Sequence, residues 1–375
     1  MPEPRLKPPF RAEHIGSFFR PQALLDARDA HAAGRLSASE LRAREDAAIR
    51  DFVALQERLG FACVTDGELR RDTYTGNFTT SGLSGVSAEH VGEGRWTYTN
   101  AAGTSQRGRV PSVHGRIRWN ASANAADFAF LSSLTGRMAK MTLPGPCYIH
   151  FRAGRERISR EIYPNLADFW SDLVAAYATE LTKLHAAGCR YVQLDETSLA
   201  KLGDASMRET LAARGDDWQD LLDRYIEIIN AVVANAPKDM RIGMHLCRGN
   251  YMGHWQAAGG YDLIAEKVFR DINVDFFFLE YDSERAGTFE PLRALPAHKV
   301  AVLGLVSTKL AELEDEEFLI GRIRESSRYV DLERLAISPQ CGFSSSERAN
   351  TVMSYARGVE KLARVVEVAR KVWPQ

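Results

Sequence analysis

Short apolar runs recur along the chain, and between them apolar residues return every three or four positions. Runs at Glu13–Ser17, Ala62–Glu68, Lys140–Gly145, Tyr191–Glu196, Arg241–Cys247, Phe276–Glu280, Val300–Val306 and Leu335–Ser338 predict eight strands. Helical periodicity covers Ser37–Gly60, Asn165–Ala187, Met207–Ala236, Tyr261–Ile272, Leu313–Val330 and Ser346–Val372, with a short helix near Pro291–Leu295. Ser37 and Glu40 have the spacing of a capping box. Short apolar strands alternating with helices indicate parallel βα units, and eight of them favour an α/β fold of the (β/α)8 TIM-barrel kind over an open sheet.

The rhythm breaks between residues 69 and 139, which are rich in Thr, Gly, Ser and Asn. Alternation in Val110–Trp119 predicts an antiparallel excursion, and a short helix is expected near Ala125–Leu134. This reads as an insertion after strand two, at about residues 77–135, over one mouth of the barrel. The chain, 1–375, is expected to be one domain, with residues 1–12 Pro-rich and irregular. Whether residues 85–120 close over a site or form an interface is left open.

Composition narrows the class. Hydrophobic residues make up 45% and charged residues 26% of 375, which is ordinary for a globular enzyme with ample core. A net charge of −1 gives no electrostatic case for nucleic acid or an anionic membrane. No apolar run is long enough to span a bilayer, and the N-terminal stretch lacks a signal peptide's apolar core. The five scattered cysteines, an odd number, fit a reducing cytoplasm and do not form a disulfide framework.

Barrel enzymes carry their chemistry at strand C-termini. Here those ends hold Gly16 and Ser17, Glu68, Asp195, His245 and Cys247, Glu280, and Cys341. His245-x-Cys247 at a strand end puts an imidazole and a thiolate on one face, since residues i and i+2 share a side. With Glu280 and Cys341 they make a donor set suited to one Zn²⁺ per chain. Glu280 follows Phe-Phe-Phe-Leu, where an unpaired buried carboxylate would be costly. Two thiolates and a carboxylate leave such a site near −1, which suits lowering the pKa of a substrate thiol more than activating water. Plainer readings stand beside these. Glu68 and Asp195 could pair with Arg70, Arg71 or Lys201, Gly16 could serve only a turn, and Cys63, Cys147 and Cys189 read as core.

Ile15-Gly-Ser17, Asp66-Gly-Glu68, Gln193-Leu-Asp195, His245-x-Cys247, Glu280 and Pro339-Gln-Cys-Gly342, in this order, resemble the catalytic barrel of cobalamin-independent methionine synthase, and more closely its single-barrel members. The likeness runs from His14 to the last helix. It implies that His245, Cys247, Glu280 and Cys341 bind zinc. It also implies that His14, Ile15, Gly16, Ser17, Glu68 and Asp195 hold an amino-acid thiol such as homocysteine, with Ser17 at the carboxylate and the two acids at the ammonium. Methyltetrahydrofolate or a similar donor would supply the methyl group, and a homodimer is compatible. The family's catalytic histidine after strand seven is replaced here near Val306, so the proton donor is open. Asp195, His150 and Glu196, with His254, are the candidates for that work. The rival activities are alkyl transfer to another small thiol or from a non-folate donor, as in epoxyalkane–coenzyme M transferases, a lyase resembling uroporphyrinogen decarboxylase, and noncatalytic thiol binding.

Overall fold

The computed structural model describes residues 7–90, 96–100, 102–346 and 352–374. Six strands, Met141–Pro144, Tyr191–Asp195, Arg241–Leu246, Phe276–Glu280, Val300–Val306 and Leu335–Pro339, form one parallel sheet in chain order. The sheet is carried round by shorter segments. Ala12 bridges Ile337 in parallel, and Phe18 N donates to Gly67 O at 3.0 Å. Cys63–Val64 pairs in parallel with Met138–Ala139, which leads into Met141–Pro144. Of the first two expected strands, Glu13–Ser17 forms none beyond the isolated bridge at Ala12, and Ala62–Glu68 shortens to Cys63–Val64; Gly16, Gly67 and Glu68 adopt positive φ and turn the chain away from the ladder.

The barrel interior is part apolar and part ionic. Phe10, Ile15, Phe276, Phe278 and Val302 pack together there. Among them Lys140 Nζ meets Glu13 Oε2 and Gln193 Oε1 at 3.1 and 3.0 Å, and Gln193 Nε2 donates to Asp195 Oδ1 at 2.7 Å. This buried row satisfies its own polar groups and holds Asp195 at the upper end of the barrel. Gly243 lies beneath His245 because a Cβ there would come within 2.2 Å of the Phe276 ring.

Helix Ala38–Leu59 begins with the expected capping box at Ser37 and Glu40. The stretch Met207–Ala236, expected as one helix, is two, Ala205–Ala213 and Trp218–Ala234. Gly215 at φ +88° and the Asp217 N-cap break it. Helices Gln22–Ala32 and Tyr148–Ala153 were not foreseen; the second, at six residues, is too short to show a repeating apolar stripe. The closing helix spans Tyr355–Val372; residues 347–351 of its expected start lie outside the described residues.

The excursion after strand two contains Leu83–His90 paired antiparallel with Arg109–Trp119, and Thr97–Thr99 paired with Ser105–Arg107. Thr99 and Trp255 exchange backbone hydrogen bonds at 2.7 Å, His254 Nε2 meets Thr104 Oγ1 at 2.8 Å, and Ser159 N donates to Val113 O at 2.9 Å. The excursion is therefore fastened to the loops after strands three and five, over the strand C-termini.

Candidate metal and thiol site

Strand register brings the candidate donors together. Asp195 lies directly opposite His245, which lies opposite Phe278, two residues before Glu280. One ligand atom from each of His245, Cys247 and Cys341 falls within 4.8 Å of the others, and all three residues are buried. Cys341 Sγ donates to Cys247 Sγ at 4.0 Å. Among the described residues, neither buried ring nitrogen of His245 has a hydrogen-bond partner. Orphaned buried nitrogens are costly, and a metal ion would satisfy one of them.

The charge state suits a cation. The hydrogen bond from Cys341 is the largest influence on Cys247; with His245 it outweighs burial and holds the thiol far below its ordinary value. The same hydrogen bond, together with burial, keeps the proton on Cys341. Burial works against the His245 imidazolium, yet Cys247, Asp195 and Glu280 raise it above its ordinary value. One thiolate is thus formed already, and a cation would displace the remaining protons.

Glu280, expected as a fourth donor, falls outside the group of ligand atoms that converge within 4.8 Å and has partners of its own. Its Oε1 accepts from Arg285 Nη1 at 2.7 Å and Lys309 Nζ at 3.2 Å, and its Oε2 accepts from Arg248 N at 2.6 Å. Burial opposes its ionisation, but Lys309, Arg285 and Arg248 hold the carboxyl well below the usual range.

One cavity joins these groups to the expected thiol-binding residues. Ile15, Ser17, Glu68 and Asp195 line it together with His245, Cys247 and Cys341. Glu68 takes φ +56°, a strained value for its type that aims the carboxylate inward. Thr142 Oγ1 donates to its Oε1 at 2.8 Å, while Oε2 is buried with no hydrogen-bond partner among the described residues. Burial raises Asp195 to about 7, with His245 opposing and Glu68 adding to the rise. Of the plainer partners, Arg71 Nη1 forms a buried ion pair with Glu68 Oε1 at 3.7 Å, Arg70 pairs with Asp46 and Asp127, and Lys201 has no ion pair among the described residues.

Several expected residues lie elsewhere. His14 does not reach the cavity. Its ring sits edge-on to Phe61 and Phe52 at 5.1 and 6.5 Å, on the side of the chain opposite Ile15 and Ser17. Gly16 shapes the site through its size, since a Cβ would lie 2.7 Å from Thr142 Cγ2 and 3.2 Å from Glu68 Oε1. His150 faces outward, with Nδ1 3.0 Å from the Tyr225 hydroxyl and its ring 4.9 Å from Trp170. Glu196 follows Asp195 on the other face of its strand, and accepts from Cys147 N and Ser198 N at 3.0 Å. His254 is occupied in fastening the insertion. Val306 is buried in its strand and does not line the cavity.

The remaining wall had not been foreseen. Tyr74, Tyr98, Tyr148, Arg152, Lys201 and Asn250 all face the cavity. On Tyr148–Ala153, positions 148 and 152 share a face one turn apart, while His150 falls on the opposite side. Asn250 Nδ2 donates to Thr308 Oγ1 and Gly342 O at 2.9 and 3.0 Å, tying the strand-five loop to strands seven and eight. Tyr98 comes from the insertion, so the excursion forms part of the site.

A parallel α/β barrel with buried His, Cys and Cys at its strand C-termini, beside two inward carboxylates, presents a donor set capable of holding a metal ion. The family model described as the cobalamin-independent synthase catalytic domain matches residues 10–370, and the chain belongs to that family. It is therefore an enzyme of the cobalamin-independent methionine synthase type, a methyltransferase. An uncharacterized Bacillus subtilis protein, YxjH, is 37% identical over 373 residues, 99% of this chain and 97% of its own. The crystal structure of a candidate vitamin-B12-independent methionine synthase from Listeria monocytogenes superposes with a TM-score of 0.76 at 32% identity, covering 98% of this chain and 99% of that one. A B12-independent methionine synthase from Shewanella, in complex with selenomethionine, shares the fold with a TM-score of 0.72 at 20% identity, covering 96% and 98%. No described helix is long and apolar enough to cross a membrane.

Proposed function

We propose that this enzyme transfers a methyl group to the thiol of homocysteine, giving methionine, from methyltetrahydrofolate or a similar donor. The observation that carries the reading is the shared cavity: a His/Cys/Cys donor set and two inward carboxylates, one with a free buried oxygen, line one space. His245, Cys247 and Cys341 would hold Zn²⁺, with the ionised Glu280 beside them as fourth donor. When bound, the ion supplies thiol acidification, so that the acceptor sulfur is presented as a nucleophilic thiolate.

The chain's own residues do the rest. Glu68 Oε2 and Asp195 receive the ammonium, which sets a cation beside two buried carboxyl groups. Ser17 is positioned for the carboxylate, its carbonyl fixed by Phe343 N at 3.0 Å. The insertion keeps bulk water from the thiolate. The selenomethionine bound by the Shewanella protein is a selenium counterpart of the product expected here.

The test is metal content by mass spectrometry, with zinc K-edge absorption before and after homocysteine. About one zinc per chain and a new Zn–S contact near ~2.3 Å are expected, with zinc lost in Cys247→Ala. A protein prepared with zinc that retains none would refute the reading.

A further inference from the structure

The cavity has two chemically distinct sides. Glu68 and Asp195 face it from strands two and four, while Lys201 and Arg152 face it from the loops after strands four and three. Lys201 is buried, yet its ammonium makes no hydrogen bond or ion pair among the described residues; its nearest described ring partner is Phe151 at 5.6 Å. Arg152 is also buried. Its Nη2 donates to the Tyr98 hydroxyl, but Nε and Nη1 have no hydrogen-bond partner among the described residues. Its guanidinium lies over Trp96, Tyr98 and Tyr148 at 5.0, 5.2 and 6.0 Å. Gly108 backs it closely, since a Cβ there would come within 3.0 Å of Nη2.

Contact with aromatic faces explains why Arg152 is rigid and why the insertion docks. It leaves two guanidinium nitrogens unsatisfied and says nothing about Lys201. Arg152 repels Lys201 across this desolvated wall, while Cys247, Glu196 and Glu280 attract it only from beyond ion-pair distance. Burial, and then Arg152, push the Lys201 ammonium down to about 7. An arriving anion would relieve both groups and use the idle donors.

We propose that Lys201 and Arg152 form an anion-binding subsite that receives an acidic oxygen group, carboxylate or phosphate, of the methyl donor. The assignment to the donor rests on the reading above, in which Ser17, Glu68 and Asp195 take both ends of the acceptor. The donor's acidic group then lies on the side of the cavity lined by Tyr98 and Tyr148.

The experiment is calorimetric titration of the zinc-loaded enzyme with inorganic phosphate and with acetate, each with and without saturating homocysteine. Wild-type protein binds at least one of the two anions equally well in both states. Lys201→Met and Arg152→Gln each weaken this by about tenfold or more, while homocysteine binding by each variant is unchanged and reports that the site is still folded. Absence of anion binding by the wild type, or wild-type anion affinity in Lys201→Met, overturns the subsite. Loss of anion binding in the presence of homocysteine overturns the donor assignment and gives the cations to the acceptor's carboxylate. Anion binding that follows both variants in a protein without homocysteine affinity leaves the subsite standing and removes the proposed acceptor instead.

Discussion

Asp195 offers a quantitative check on the site's electrostatics. Its carboxyl sits opposite His245 in register and receives one hydrogen bond, from Gln193 Nε2 at 2.7 Å. Burial carries it from its ordinary 3.8 to about 7, equivalent to about 4 kcal/mol at ~1.36 kcal/mol per pH unit. The folded state holds this proton more tightly than the unfolded chain does. The associated stability is therefore fully present below about pH 4 and is lost as pH rises toward 7. Asp195→Asn removes a charge that is costly only at the upper end. Over 375 residues, an unfolding entropy of roughly 2.1 cal/mol/K per residue converts 4 kcal/mol into a Tm shift of about 5 °C. In metal-stripped protein, relative to wild type, Asp195→Asn should gain about 5 °C more at pH 8 than at pH 4 by differential scanning calorimetry. The same variant should lose homocysteine affinity. A Tm difference that does not change between the two pH values would show that Asp195 ionises normally, and would remove the argument that it awaits a cation.

Two further outcomes test the placement of residues around the cavity. His150→Gln should leave zinc content and homocysteine affinity unchanged while costing about 1 kcal/mol of stability through its contact with Tyr225; loss of zinc or homocysteine binding would return His150 to the site. Gly108→Ala places a methyl within 2.9 Å of Tyr98 Cε2 and 3.0 Å of Arg152 Nη2. It should loosen the insertion, seen as faster amide exchange at Tyr98–Thr99, with little change in global stability. Unchanged exchange there would mean that the insertion is not held through Arg152.

Which residues share a surface followed from local spacing wherever that spacing repeats. The period of two in Arg241–Cys247 put His245 and Cys247 on one face, and the structure has them there beside Cys341. The same alternation separates Asp195, which faces the cavity, from Glu196, which staples the neighbouring loop. It separates Ile15 and Ser17 from His14 as well, although reading that motif as one block had assigned all of it to the substrate. His150 was misplaced because the helix Tyr148–Ala153 is only six residues long. Without a periodic pattern, the face holding Tyr148 and Arg152 could not be told from the face holding His150.

The sequence by itself determined the order of βα units, the strand ends that carry chemistry, the capped helix after Ser37, and the family. Each of these depends on neighbours a few residues apart or on a motif whose spacing survives without coordinates. The tertiary structure alone decided which partners each charge meets. It set Arg285 and Lys309 against Glu280, gave Lys201 and Arg152 no carboxylate ion pair among the described residues, and folded the insertion down so that Tyr98 completes the cavity. Ion pairing and desolvation depend on distances between segments a hundred or more residues apart in some cases. No local pattern encodes those distances; closure of the barrel does.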